Sequence, residues 1–144
     1  MLKLKVTSNL TIQMKVEDIR KRYGIEALDT HGIHHPNPDI GRDYGVFFIN
    51  PGSSYDDMVT EGGVVVYRGQ RQTRYDYFRV RNMKVQQYIN LYKSGGAPYF
   101  VDLIEKVGDR NWESHGLHQV VHAEMHPNED LINFVLYKKP IPLF

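Results

Sequence analysis

Two tyrosines twelve positions apart, with paired aspartates directly after the first, are the residues of this sequence best suited to hold a planar ligand. Tyr55 precedes Asp56 and Asp57 in a turn-rich segment, where side chains are free to converge on a ligand. Tyr67 ends a β-branched run that predicts a strand leading back toward that segment. Two phenol rings would then sandwich a planar group while an aspartate accepts hydrogen bonds from its exocyclic amine. Proteins hold a flipped nucleobase in this way.

A run of positive charge follows the second tyrosine. From Arg68 to Lys84 there are five arginines and one lysine against the single acid Asp76, although the net charge of the chain is only +1. Arginine binds phosphate oxygens through two parallel N–H donors. This favours phosphate binding by residues 68–84, a segment predicted to be mostly loop. A solvated charged surface without a ligand is the alternative. The residues assigned to backbone and groove contacts with nucleic acid are Arg68, Gln70, Arg71, Arg74, Arg79, Arg81 and Asn82.

Composition excludes several classes of site and protein. The chain has no cysteine, which excludes disulfides, thiolate zinc sites and a cysteine nucleophile. The N-terminus has no signal-peptide core and no apolar run approaches membrane-spanning length, so we expect a cytoplasmic protein without membrane contact. With 144 residues, of which 41% are hydrophobic, we expect one domain spanning residues 1–144.

Hydrophobic periodicity predicts many short strands and one clear helix. It indicates strands at 2–6, 11–16, 46–49, 99–107, 117–125 and 131–137, the strand at 46–49 covered on both faces and the last two forming a hairpin. A helical turn at 17–22 would end at Gly24. A helix from about Met83 to Lys93 would begin with Asn82 as its N-cap, after a strand or ordered loop at 75–80. The fold class expected is α+β, a mixed, twisted β-barrel with one or two flanking helices.

The order of these motifs resembles that of the SRA domains (SET- and RING-associated, also called YDG domains) of the PUA-like superfamily. It is most similar to the bacterial members that read modified DNA. Tyr55 with its acids, followed by Val65-Val66-Tyr67-Arg68-Gly69, resembles the pocket motif of the family. The other matching segments are Arg22-Tyr23-Gly24, His31-Gly32-Ile33-His34, Gly45-Val46-Phe47-Phe48-Ile49, Arg81-Asn82-Met83 and Gly95-Gly96-Ala97-Pro98-Tyr99-Phe100-Val101. Together they cover roughly residues 20 to 137.

The resemblance implies a module that flips a modified cytosine, such as 5-methylcytosine or 5-hydroxymethylcytosine, out of duplex DNA. Asp57, or less directly Asp56, would accept a hydrogen bond from the N4 amine of the base. Met58 stands where eukaryotic members of the family keep an aspartate. The implied site comprises Tyr55, Asp56, Asp57 and Tyr67 around the base, and Gly32, Ile33 and His34 at the minor groove.

Double-stranded DNA carrying the modified cytosine is therefore the expected partner, and no enzyme activity, catalytic residue, metal or cofactor is expected. Bacterial members are often fused to a nuclease, so the chain would be either the reader of a modification-dependent restriction system or a stand-alone reader. The nuclease would lie elsewhere in the protein or in a partner, because Asn111 and His115 alone do not make a His-Asn-His site. Two alternatives stay open. They are a PUA-like RNA-binding module, and a metalloenzyme on a small β-barrel using His31, His34 or His35 with His118 and His122.

Alanine at either pocket tyrosine tests the predicted sandwich. Base stacking on an aromatic side chain contributes about 1–3 kcal/mol, so Tyr67→Ala should weaken binding to a modified duplex by roughly 5- to 150-fold, and Tyr55→Ala should act similarly. Phenylalanine should do less harm, because the ring supplies most of the stacking. Asp57→Asn should reduce discrimination among bases more than overall affinity. Binding titrations run beside thermal melts measure these effects. Folded alanine variants that bind modified DNA as well as the parent would contradict the pocket.

Overall fold

The computed structural model of the protein describes residues 12–49, 58–59, 63–69, 76–125 and 132–138. These residues form eight strands and two α-helices. In chain order they are β1 (Ile12–Lys15), α1 (Val16–Tyr23), β2 (Ile33–His34), β3 (Gly45–Ile49), β4 (Met58–Val59), β5 (Val64–Arg68), α2 (Asp76–Lys93), β6 (Phe100–Gly108), β7 (Asn111–Met125) and β8 (Ile132–Lys138). Short 3₁₀ turns at Ala27–Asp29 and Pro38–Ile40 flank β2. No helix within these ranges is long and apolar enough to cross a membrane.

The strands belong to one mixed sheet in the order β2-β3-β6-β7-β8-β5-β4, with β1 added along β7. Strands β3 and β6 run parallel, and the other pairs are antiparallel. Register shifts interrupt the β6–β7 pair twice and the β7–β8 pair once. Such irregularities bend strands and increase their twist, so the sheet curls into a half-barrel. The predicted α+β class with a mixed, twisted sheet and two helices is confirmed.

The sheet buries side chains on both of its faces. Phe47 and Ile49 of β3 belong to a core that includes residues of α2, whereas Val46 and Phe48 belong to a second core that includes residues of α1. All five residues of β3 are buried. A strand that is covered by apolar side chains on both faces has a continuous apolar sequence. This is why residues 46–49 were correctly predicted to form a central strand.

Several local predictions are confirmed. Gly24 ends α1 with φ of 70° and donates its N–H to the carbonyl of Arg20. Strands β7 and β8 form the predicted final hairpin. Strand β7 begins at Asn111, earlier than the predicted residue 117, and its first part pairs with both β1 and β6. The strand predicted at 2–6 lies outside the described residues.

The prediction for the start of α2 is wrong. The segment expected to be a strand or loop at 75–80 is helical from Asp76, and Asn82, expected to be the N-cap, is fully buried inside the helix. The aromatic and β-branched residues before Asn82 have modest helix propensity, but one helix through Lys93 buries Val85 and Ile89 against the sheet. Packing therefore outweighs local propensity, and Arg79 and Arg81 lie on a helix.

A buried carboxylate joins α1 to the middle of the sheet. Asp102 of β6 is 4% exposed and accepts hydrogen bonds from the hydroxyls of Tyr23 and Ser114, each at 2.5 Å. Burial, followed by the charge of Asp102, raises the pKa of the Tyr23 phenol far above its ordinary value, so Tyr23 stays a donor. Buried charges are stable only when they are paired or hydrogen-bonded, so these two bonds fix α1 and β7 against β6.

Tyr23→Phe should lower the free energy of unfolding by roughly 1–3 kcal/mol, because it leaves an oxygen of the buried Asp102 carboxylate without its donor. Tyr44→Phe is the matched control. Its ring contacts Tyr23 edge-on at 6.4 Å, and its hydroxyl has no hydrogen-bond partner among the described residues. Urea denaturation measures both variants. If Tyr23→Phe were as stable as Tyr44→Phe, the Asp102 network would not be what holds α1 on the sheet.

Candidate nucleic-acid interface

Tyr67 lies on the face of β5 that packs beneath α2. It is 3% exposed, and its hydroxyl donates a hydrogen bond of 2.8 Å to the carbonyl of Phe48. Its ring lies against Phe47, with 4.7 Å between ring centroids. Strand β3 ends one residue after Phe48, directly before the segment that carries Tyr55. Tyr67 is therefore fixed to the strand that leads into the predicted base pocket.

The other predicted pocket residues, Tyr55, Asp56 and Asp57, lie outside the described residues, as do Gln70, Arg71 and Arg74 of the predicted phosphate-binding segment. The sandwich of two phenol rings stays a prediction. Its described partner, Tyr67, is held by neighbours on the inner face of the sheet.

The segment predicted to approach the minor groove forms β2 and the turn before it. Gly32 has a φ of 65°, and the fully buried Ile33 pairs with Phe47 of β3. Nε2 of His34 lies 2.6 Å from the carbonyl oxygen of Asp29 and 3.2 Å from that of His31. An N–H at Nε2 donates to both carbonyls, so His34 closes the turn that precedes β2.

The first half of α2 carries the described arginines of the basic segment. Arg79 is exposed, whereas Arg81 is half-buried with its guanidinium 5.0 Å from the centre of the Tyr77 ring. Nη1 of Arg81 is buried and has no hydrogen-bond partner among the residues that the structure describes. The positive charge of Arg81 acts on His34, so α2 brings this arginine near β2.

Asn82 and Arg68 lie at the end of β5. A Cβ added at Gly69 would lie 2.8 Å from Oδ1 of Asn82, so Asn82 packs against the backbone that leaves β5. Its fully buried side chain positions this part of the chain. Arg68 is half-buried at the end of β5, opposite Asn133 of β8.

A pocket between α2 and the connection that follows β2 was not predicted. Its volume is about 520 Å³, and it is lined by Pro36, Pro38, Gly41, Arg42, Asp43, Lys84 and Tyr88. The ring of Tyr88 stacks on Tyr99, with 4.4 Å between centroids and 12° between planes. The ring of His35 is also near Tyr88, with 6.4 Å between ring centroids. Both ring nitrogens of His35 are buried, and neither has a hydrogen-bond partner within the described part of the chain.

Positive charge is concentrated beside this pocket. Burial, followed by the charges of Lys84 and Arg81, lowers the pKa of His35 to about 4. Burial and the charge of Arg81 likewise lower the pKa of His34 to about 4. Arg42 is 6% exposed, donates to the carbonyls of Tyr23 and Tyr44, and has no carboxylate within 4 Å among the described residues. Such a group of cations suits an anion such as a phosphate.

Comparison with solved structures identifies the fold. The protein is similar to the SUVH5 SRA domain in its crystal structure with hemi-methylated CG DNA, with a TM-score of 0.55. The match covers 91% of this chain and 88% of that chain at 19% sequence identity. The chain has the SRA fold. No protein-family model and no curated protein matches the sequence.

The SRA fold confirms the resemblance drawn from the order of the motifs. The structure also bears on the histidines of the metalloenzyme alternative. His118 is buried, with Nδ1 2.9 Å from the carbonyl oxygen of Gly116, whereas His122 is exposed. Within the described ranges, none of His31, His34, His35, His118 and His122 belongs to a group of three metal-ligand atoms.

The depressed pKa of His35 predicts a pH dependence of stability. Because its pKa is about 4 in the folded protein against an ordinary 6.5, the unfolded chain binds more protons between these values. The contribution of neutral His35 to the free energy of unfolding is therefore complete above pH 6.5 and is lost as the pH falls toward 4. His35→Phe should make stability less dependent on pH in this window, while His34 and His118, whose pKa values burial also lowers, keep contributing.

Urea denaturation at pH 7, 6, 5 and 4 measures the effect. His122→Phe is the matched control, because His122 is exposed on β7 and its replacement should leave the pH dependence of stability as in the parent. Identical curves for His35→Phe and the parent would contradict the assignment of a buried neutral His35.

Proposed function

We propose that this protein is a DNA-binding module that flips a modified cytosine out of duplex DNA, and that it reads the base without transforming it. The observation that carries the proposal is the SRA fold, found at a TM-score of 0.55 to an SRA domain in complex with hemi-methylated CG DNA. Fold alone does not assign function, so the argument depends on the chemistry of the residues that the fold positions.

The first such group would bind the base. Tyr67 is held in place, since its hydroxyl is bonded to β3 and its ring is packed on Phe47, but it is only 3% exposed, so the base would have to displace what covers the rest of the ring. A stacking partner that is already ordered loses little conformational entropy when the base arrives. Tyr55 would supply the second stacking ring, and Asp57 or Asp56 would accept a hydrogen bond from the N4 amine of the cytosine.

The second group would hold the DNA backbone. Arg42, Arg81 and Lys84 surround His35 beside an open pocket, although the chain as a whole has a net charge of only +1. A phosphate near this pocket would gain charge-assisted hydrogen bonds and would offer an acceptor to the unpaired Nη1 of Arg81. Gly32 at the turn before β2 would let the nucleic acid approach the backbone closely.

The module would act as one domain in the cytoplasm, as the reader of a modification-dependent restriction system. Its nuclease would be supplied by another part of the protein or by a partner. Recognition of 5-methylcytosine, 5-hydroxymethylcytosine or a bulkier derivative depends on Asp57 and on the residues that surround it.

Four duplexes that differ at one cytosine test this function. The cytosine is plain, 5-methylated, 5-hydroxymethylated or glucosylated, and binding is followed by fluorescence anisotropy at several salt concentrations. We expect at least one modified duplex to bind more tightly than the plain one. With about four phosphate contacts, the logarithm of the binding constant should fall against that of salt with a slope of about −3.6.

Single-charge variants of α2 separate backbone from base recognition. Arg81→Gln and Lys84→Gln should weaken binding to all four duplexes alike and each reduce the slope by about 0.9, because phosphate contacts carry no sequence information. Lys93→Gln, in the last turn of the same helix, is the control. Equal affinity for the four duplexes would reject base reading, and affinity independent of salt would reject the phosphate contacts. Tighter binding to RNA of the same sequence would favour the RNA-binding alternative.

A further inference from the structure

Two glutamates and a histidine converge on the face of the sheet where β6 and β7 begin their hairpin. Glu105 of β6 and Glu113 of β7 are direct cross-strand partners, so their side chains share one face. His115 follows Glu113 by two positions on the same strand and lies on that face as well. One potential ligand atom from each of the three residues lies within 4.8 Å of the other two.

The two carboxylates bring negative charge that the described residues do not neutralise. Like charges directly opposite on antiparallel strands are destabilising. Water screens Glu105 little, because its side chain is only 13% exposed. Among the described residues no lysine or arginine lies within 4 Å of either carboxylate. Glu105 is 3.0 Å from Nε2 of His115, and Glu113 accepts a hydrogen bond from the side-chain amide of Gln13 on β1. A protonated His115 would neutralise only one of the two charges.

His115 adds a buried nitrogen ligand to the two carboxylates. It is 5% exposed, and its Nε2 lies 3.0 Å from Oε1 of Glu105. The second ring nitrogen, Nδ1, points away from the glutamates and is buried without a hydrogen-bond partner among the described residues. The grouping of Nε2-bearing His115 with both glutamates, and not the unpaired Nδ1, is therefore the observation that points to an ion.

The geometry points to Glu105, Glu113 and His115 as a binding site for a first-row divalent transition-metal ion, with Zn²⁺ as its probe. Bonds of about 2.1 Å to a tetrahedral Zn²⁺ place its ligand atoms about 3.4 Å apart, so the three side chains would have to rotate inward to close on an ion. One imidazole with two carboxylates suits zinc and its neighbours, whereas Mg²⁺ and Ca²⁺ prefer sites made only of oxygen. The ion would join β6 to β7 and, through Gln13, to β1.

The surroundings of the site set its expected affinity. A metal-bound histidine normally donates its second N–H to an acceptor, and loss of such a partner weakens binding by about 10- to 100-fold. Nδ1 of His115 has no such acceptor in the described ranges. Because the site has three protein ligands and lacks this acceptor, its dissociation constant for Zn²⁺ should be on the order of micromolar. The half-buried glutamates leave an entry path from solvent.

Calorimetric titration of the metal-free full chain with ZnCl₂ tests the site. Glu113→Gln and His115→Gln each remove one ligand, and Glu124→Gln and His122→Gln change the same residue types at exposed positions of the same strand. We expect one Zn²⁺ to bind the parent and both controls, and at least tenfold weaker binding to each ligand variant. Cobalt replaces zinc in a parallel experiment, where the visible absorption of bound Co²⁺ should be lost in the ligand variants.

Glu113→Gln decides the outcome if His115→Gln does not fold. Zinc should then raise the melting temperature of the parent and of Glu124→Gln but not of Glu113→Gln. Equal zinc affinity in Glu113→Gln and the parent, or an equal loss in the control variants, would overturn the site, since the other six histidines of the chain would then account for binding. Because no DNA is present, failure of base reading would leave this result unaffected.

Discussion

The structure depends on the requirement that polar groups inside a sheet covered on both faces find partners within the protein. Water does not reach the middle of β3 and β6, where each face carries its own core. The carboxylate of Asp102 is therefore paired with the hydroxyls of Tyr23 and Ser114, and the hydroxyl of Tyr67 with the carbonyl of Phe48. Each of these bonds joins two different elements. Satisfying buried polar groups thus also fixes α1, β5 and β7 relative to the central strands.

Some exceptions to this requirement lie at the proposed ligand sites. Four described side chains have buried nitrogens without a hydrogen-bond partner among the described residues, and they are His35, Arg81, Trp112 and His115. His35 and Arg81 lie among cations beside a pocket, and His115 lies beside two carboxylates. The proposed ligands at the two places have opposite charges, a phosphate at one and a metal ion at the other.

Features set by neighbours in the sequence were predictable, and features set by packing were not. The apolar run of β3, the glycine that ends α1 and the final hairpin all follow from short patterns. The start of α2 was missed because burial of Asn82 and the residues after it outweighs the strand-like composition of 75–80. Arg42 and Lys84 line the same pocket only because α2 packs beside the connection that follows β2. Glu105 lies opposite Glu113 only in the observed register of β6 and β7. The pattern around Tyr55 and Tyr67 suggested a base pocket, yet the burial of Tyr67 against Phe47 could not be read from it.

The parallel pairing of β3 with β6 also governs the order of events as the chain folds. Gly45 pairs with Val101, so the two strands meet only after the long crossover that contains α2 is in place, whereas β6, β7 and β8 pair through short local connections. Contacts of high sequence separation form slowly. In that order of events the outer edge of β6 would be unpaired at first and open to pairing with strands of other molecules. The long crossover would then make the folding chain, and not the folded protein, the species most exposed to aggregation.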